Sequence, residues 1–352
     1  MYKTASIMSE FSYRNNKLHN RITCFVNWIR PEDETINDIS ERADLIRKKV
    51  SAKAEEDGLK VTATPHSGSF AKQTGLRRHM LGHSEVEGQD IDIPFVVAPK
   101  DADGEKLTEL LDRFLKYADA AYPETRKEPT KSSIRLFFSD KLSYDLVPML
   151  STGKPNEEII VRANGDRIKT SIEKHVAFVC SRTKSSDALA GRVKFNECVR
   201  LMKWWREIQS IDNYYFGADK NKMPSSMLMD LLCAKAYDEL SVCTTYAETL
   251  SKWFGYLANL LKNRRAIFFT DYVATKPTPE QGIEWYVHDP VNPKNNVVYK
   301  WGYGEVNELT EWLTKGRDEW ARAMRFNEDG ENVKSMDAMV KIFGNAFRNH
   351  CE

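Results

Sequence analysis

With 352 residues, 41% of them hydrophobic and 29% charged, the chain has material for two lobes, each with a sizeable core. A net charge of +1 excludes a general basic field for gripping long nucleic acid, and no apolar run approaches the roughly 18 residues a membrane helix needs. The six cysteines (Cys24, Cys180, Cys198, Cys233, Cys243 and Cys351) lack Cys-x-x-Cys spacing, and the first residues lack the apolar stretch of a signal peptide; a reduced, cytoplasmic setting is expected.

Ile22 to Ile29 reads as a short helix. Pro31-Glu-Asp-Glu-Thr is a helix start, with Pro in the first turn and acids at the positive end of the dipole. Ile36, Ile39, Ala43, Ile46 and Val50 recur at helical spacing, so a long amphipathic helix should end before Gly58. Leu59 to Ala63 predicts a strand leading into His66-Ser-Gly68-Ser69-Phe-Ala-Lys, and Phe70 to Leu76 predicts a helix. Residues 77–89 read as a loop. Gln89-Asp90-Ile-Asp92-Ile-Pro-Phe-Val-Val97 reads as a strand, and Leu107 to Tyr122 as a helix. Ile134 to Phe138, a Ser-Asp-Lys turn and Leu142 to Leu150 form a predicted hairpin carrying Asp145. Asn164-Gly165 is the turn signal of a second hairpin, between Ile159 to Val161 and Arg167 to Lys169. Beyond about residue 171 helices dominate: Val193 to Gln209, Ser225 to Glu239, Tyr246 to Leu261, Val306 to Arg325 and Asn332 to Phe347. Strands therefore cluster early and helices late.

The chemistry concentrates between His66 and Val97. Side chains alternate faces along a strand, so Asp90 and Asp92 share one face and Ile91 and Ile93 the other. Taken alone, the pair fits a solvated surface strand as well as a metal site. A third carboxylate, Asp145, in an apolar strand shifts the balance, because a buried carboxylate is costly unless paired or metal-bound. Hard divalent cations with oxygen ligands, Mg²⁺ above all, suit such a set when a phosphate shares the coordination. The Gly68-Ser69 turn offers backbone N–H groups and a hydroxyl to phosphate oxygens.

Gly68-Ser69, Asp90-x-Asp92 and Asp145, in that order, resemble the nucleotidyltransferase fold of the polymerase-beta type. Arg200-Leu-Met-Lys203-Trp-Trp, Pro224-Ser-Ser226-Met-Leu-Met-Asp-Leu-Leu and Asp289-Pro-Val-Asn-Pro-Lys-Asn-Asn296 are similar to the helical half of 2′-5′-oligoadenylate and cyclic GMP-AMP synthases. The set as a whole, from about Ile29 to Asn296, resembles the bacterial CD-NTases, which make cyclic oligonucleotide signals in anti-phage defence. The resemblance implies an α+β protein with two lobes around a cleft: a polymerase-beta-like core with a mixed sheet and a spine helix over residues 1–170, and a helical lobe over residues 171–352. It implies transfer of a nucleotidyl group from ATP or GTP with release of pyrophosphate, using two Mg²⁺ ions for which Mn²⁺ can substitute.

The resemblance also implies the roles. Asp90 and Asp92 would bridge both metals, while Asp145 would bind the metal that meets the attacking hydroxyl. Gly68 and Ser69 would meet the terminal phosphates. Arg200 and Lys203, three apart on one helix face, would reach the triphosphate; by themselves they also fit a solvated basic face. Ser226 would bind phosphate or cap its helix. The aromatic that often follows this serine in the family is Met227 here. Asp289 would touch a nucleotide or hold an Asx-type turn. Trp204, Trp205, Tyr214, Tyr215 and Phe216 are expected as core more than as base platforms. Expected partners are nucleoside triphosphates, a downstream effector that binds the cyclic product and a regulatory protein; neither a membrane nor activation by DNA or RNA is expected. The competing readings are a terminal nucleotidyltransferase acting on RNA or protein and an inactive nucleotide-binding scaffold.

Overall fold

The computed structural model describes residues 16–351 apart from 78, 82–83, 87–90, 99–108, 139–141, 162–165, 191–192, 212–222 and 279–281. In chain order the described elements are α1 (Lys17–Ile29), α2 (Asp33–Glu56), β1 (Val61–Ala63), α3 (Gly68–Ala71), β2 (His79–Leu81), β3 (Ser84–Val86), β4 (Ile91–Val97) and α4 (Glu109–Ala121). There follow β5 (Arg126–Pro129), β6 (Ile134–Phe137), β7 (Ser143–Ser151), β8 (Glu158–Val161), β9 (Arg167–Thr170) and α5 (Ile172–Ala190). The chain ends in α6 (Phe195–Ile211), α7 (Ser226–Leu240), α8 (Tyr246–Lys262), α9 (Tyr303–Glu328), α10 (Asn332–Phe343) and α11 (Asn345–Cys351). The fold is α+β and divides into two compact units. A sheet unit holds Pro31–His79 and Glu85–Phe178; a helical unit holds the residues up to Arg30, Met80–Ser84 and the chain from Val179 onward.

The sheet unit is built on β7. This strand pairs in parallel with β4 along one edge; along the other, its first half pairs with β6 and its second half with β8, both antiparallel. The strand order is β1-β4-β7-β6-β5, with β9 added to β8. Period-two alternation sends Ile91, Ile93, Phe95, Ile134, Leu136, Tyr144 and Leu146 to one face. There they pack with Ile39, Ile46 and Val50 of α2 and Leu110, Phe114 and Ala118 of α4. The helical period of α2 buries Ile39, Ala43, Ile46 and Val50, as the sequence predicts, and Ala54 besides; Ile36 is only half-buried, and Gly58 follows the helix at φ +74°. On the other face Val96 and Met149 pack with Ile172 at the start of α5. Asp92 and Asp145 lie on this second face, nearer the start of their strands.

In the helical unit, Asn16 caps α1 by accepting from the His19 N–H at 3.0 Å. The helix buries Ile22, Phe25, Val26 and Ile29, and Phe25 meets the rings of Trp204, Phe343 and Phe347. The core here is aromatic: Trp204, Trp205, Trp253 and Trp320 are fully buried. Trp204 and Trp205 are therefore core, as expected, while Tyr214, Tyr215 and Phe216 lie outside the described residues.

Three local expectations need correction. The helix predicted over Phe70 to Leu76 is only the short α3, because the chain turns at Gln73, with φ +56°. Residues 77–89 contain the two-stranded ribbon of β2 and β3 instead of loop alone. The last predicted helix breaks into α10 and α11 at Gly344, whose φ of +74° suits glycine. The hydrophobic pattern did not predict α5 or β5. Among the described residues no helix is long and apolar enough to cross a membrane.

Candidate active site

β4 and β7 run parallel with Asp92 directly opposite Asp145, and β6 runs antiparallel to β7 with Arg135 opposite Asp145. Asp92, Asp145 and Arg135 thus form one rung across three adjacent strands. Residues paired in register share a face, so the three side chains leave the sheet on the same side. The sequence dictates this locally: apolar neighbours on both sides of each polar residue face the core and turn the polar one away from it.

Asp145 is nearly buried, its side chain 11% exposed, and that of Arg135 is 33% exposed. Arg135 grips the carboxylate with both arms: Nε donates to Oδ1 at 3.0 Å and Nη2 to Oδ2 at 2.7 Å. Asp92 is half-buried beside them. Asp90, the third carboxylate of the expected set, lies outside the described residues. Among the described residues no group of three or more His, Cys, Asp or Glu is placed to hold a metal. The donor set still fits a hard divalent cation, since two carboxylates on one rung supply oxygen ligands.

Gly68 adopts φ +71°, a left-handed conformation open to glycine at little cost, and opens α3. Ser69 follows it, its Oγ buried with no hydrogen-bond partner among the described residues. A buried hydroxyl in that state loses free energy until an acceptor or donor reaches it.

The remaining predicted residues belong to the helical unit. Arg200 and Lys203 lie on α6, and both are buried, so neither forms a solvated basic face. Nε of Arg200 has no hydrogen-bond partner among the described residues, and burial pushes this guanidinium below its ordinary pKa. Lys203 Nζ pairs with Oδ1 of Asp230 on α7 at 2.7 Å, with side chains 3% and 4% exposed. Capping of α7 falls to Ser225, whose Oγ accepts from the Leu228 N–H at 3.1 Å. Ser226 opens the helix instead, and its Oγ meets Arg206 Nη1 at 3.4 Å. Asp289 forms the Asx-type turn: Oδ1 accepts from the N–H groups of Val291 at 2.8 Å and Asn292 at 3.2 Å, and Oδ2 from Asn295 Nδ2 at 3.2 Å.

Three participants escaped the sequence reading: Arg135, Asp230 and Arg206. Arg135 was within reach, since a hairpin closing on Phe138 and Leu142 sets 135 opposite 145, and Phe138 N does donate to Leu142 O. Asp230 stands in the apolar run Leu228-Met-Asp-Leu-Leu, and a lone acid in such a run signals a buried partner. Arg206 follows Lys203 at the three-residue spacing of one helix face.

A mixed sheet with acidic residues on neighbouring central strands, preceded by a Gly-Ser turn and accompanied by a helical unit, is a polymerase-beta-like fold. Residues 17–179 match the Second Messenger Oligonucleotide or Dinucleotide Synthetase domain. The cyclic AMP-AMP-AMP synthase of Escherichia coli strain MS 115-1 is 30% identical over 251 residues, which cover 69% of this chain and 71% of that protein. The E. coli MS115-1 CdnC structure with ATP superposes with a TM-score of 0.75 at 24% identity, covering 94% of this chain and 98% of that one. The CdnC:HORMA-deltaN complex from the same strain gives a TM-score of 0.74 at 24% identity, with the same coverage of 94% and 98%. The chain belongs to the CD-NTase family, nucleotidyltransferases that synthesise cyclic oligonucleotides.

Proposed function

We propose that the chain joins nucleoside triphosphates, ATP first among them, into a short cyclic oligonucleotide with release of pyrophosphate, and that the product is a signal in anti-phage defence. The observation that carries this reading is the Asp92–Asp145 rung on parallel strands. Asp90, Asp92 and Asp145 would hold two Mg²⁺ ions, which when bound supply charge neutralisation and a more acidic attacking hydroxyl. The chain's own groups have these tasks. The Asp145 carboxylate accepts the proton of the ribose hydroxyl as it attacks the α-phosphate. The unsatisfied Ser69 Oγ donates to a phosphate oxygen. Arg200 and Lys203 offer charge to the triphosphate, Arg as a fork and Lys as a point charge. Ser226, at the positive end of α7, adds a hydroxyl. Asp289 keeps its loop in shape for the nucleotide.

The E. coli relative named as a cyclic AMP-AMP-AMP synthase makes ATP the first substrate to offer and a cyclic trinucleotide the first product to seek. The CdnC:HORMA-deltaN complex likewise makes a HORMA protein the first regulatory partner to test. The decisive experiment incubates the protein with labelled ATP and GTP and Mg²⁺ or Mn²⁺, treats the mixture with phosphatase and weighs the products by mass spectrometry. A phosphatase-resistant cyclic oligonucleotide is expected. Label moving only onto added RNA or protein would replace this reading with a terminal nucleotidyltransferase, and triphosphate binding without turnover would replace it with a scaffold.

A further inference from the structure

Asp145 lies between unlike neighbours on its rung: a carboxylate on β4 and a guanidinium on β6. The guanidinium engages both oxygens of Asp145, and the carboxylate is nearly buried. An isolated ionised carboxylate so placed would be expensive, and two of them on one rung more so. Arg135 offsets that cost with a fixed positive charge from within the chain. Its own side chain is a third exposed, so it has a route away from the rung that Asp145 lacks.

Arg135 and a divalent cation therefore compete for the same negative charge. Each carboxylate oxygen has two lone-pair sites, and the fork uses one on each. A cation that coordinated Asp145 would face a guanidinium at close range, and like charges at that separation repel strongly in a partly buried setting. We infer that Arg135 is a built-in counter-cation for Asp145, surrendered in exchange for the divalent ion, and that it sets the ion concentration at which the site loads. This makes Arg135 a positioning residue acting through Asp145. The inference rests on the reading of Asp145 as a metal ligand.

The test is direct Mn²⁺ binding to the full chain without nucleotide, by calorimetry or by electron paramagnetic resonance of free Mn²⁺. Arg135→Gln should bind Mn²⁺ about tenfold more tightly than the parent, because it removes a competing charge beside a partly buried carboxylate. Arg135→Lys keeps a charge but cannot grip both oxygens, so its affinity should fall between the two; it also provides the measurement if Arg135→Gln does not fold. Unchanged or weaker Mn²⁺ binding in these variants overturns the exchange. Asp145→Asn separates the two failures. If Asp145→Asn weakens Mn²⁺ binding while the Arg135 variants leave it unchanged, only the exchange is wrong. If Asp145→Asn binds Mn²⁺ like the parent, the metal assignment of Asp145 is wrong as well.

Discussion

The sheet unit and the helical unit each bury opposite charges, and they do so in different ways. In the sheet unit Asp145 is held by Arg135 on a strand, and the guanidinium keeps a partly exposed edge. In the helical unit Lys203 and Asp230 are locked between α6 and α7 with almost no exposure on either side. On the strand rung the arginine keeps a partly exposed edge, so it can be exchanged for another cation. Two packed helices enclose an ion pair from all sides, and removing either partner leaves a charge that water cannot reach. The first arrangement suits a site that loads and unloads; the second holds the Lys203 ammonium in one place.

This contrast breaks first at the rung. Asp92→Asn and Asp145→Asn, alone or together, should bring cyclic product formation to background while the far-ultraviolet circular dichroism stays that of the parent. If either variant keeps near-parental turnover, the rung is a structural feature and the contrast fails on its functional side. The counterpart in the helical unit is Asp230→Ala. Loss of one partner of a buried pair costs about 3–5 kcal/mol, read here as a lowered urea midpoint. The double change Lys203→Met with Asp230→Leu should recover most of that stability, since an apolar pair of similar volume replaces the ions without desolvation cost. A destabilisation by Asp230→Ala below about 1 kcal/mol would place the pair in the class of solvated surface bridges.

A smaller effect sharpens the comparison within the helical unit. Arg182 on α5 is buried and forks onto Asp238 of α7 at 2.8 and 2.7 Å, and onto Asp271 in the loop after α8 at 3.0 and 3.1 Å. Both aspartates keep some exposure, so water can take over part of what the arginine supplies. Arg182→Met should therefore cost about 2 kcal/mol, less than Asp230→Ala, in the same urea titration. Equal losses from the two variants would mean that exposure of the acidic partner does not govern these pairs.

The sequence made these regions legible to different degrees. Elements with a clear period were readable: α2 from its apolar spacing, and the β6–β7 hairpin from alternation around a polar turn. The alternation that hides Ile91 and Ile93 also displays Asp92, so the carboxylate face could be read before any coordinates. What the sequence did not carry was the partner of Lys203. The pairing of Lys203 with Asp230 depends on how α6 meets α7, which no local pattern specifies. α3 was overestimated because the apolar Phe70 and Leu76 suggest a helix, whereas the chain turns at Gln73 in a left-handed conformation that composition does not announce. Ser225 and Ser226 are equivalent as helix caps in sequence, and only backbone geometry gives the cap to the first.

The smallest expected effect tests the edge of the sheet unit, where an acid is exposed rather than enclosed. Asp57 ends α2 and accepts from the Tyr117 hydroxyl and from Arg113 Nε and Nη2, both on α4. The tyrosine hydroxyl, then Arg113, hold the Asp57 carboxyl below its ordinary pKa. Its contribution to stability is present above the unfolded carboxylate pKa and is lost as pH falls through the lower folded value. Burial, then the carboxylate beside it, push the Tyr117 hydroxyl up to about 12. Its contribution is present below the unfolded tyrosine pKa of about 10 and is lost as pH rises through that raised value. Tyr117→Phe keeps the buried ring and removes the hydroxyl, so it should cost about 1 kcal/mol at neutral pH. The deficit should shrink in acid, once Asp57 is protonated in both proteins, and again in strong alkali. Urea midpoints at acid, neutral and alkaline pH measure it; a deficit that stays constant from neutral to acid would show that the hydroxyl acts through Arg113 Nε, which donates to it at 2.9 Å, and not through the Asp57 carboxylate.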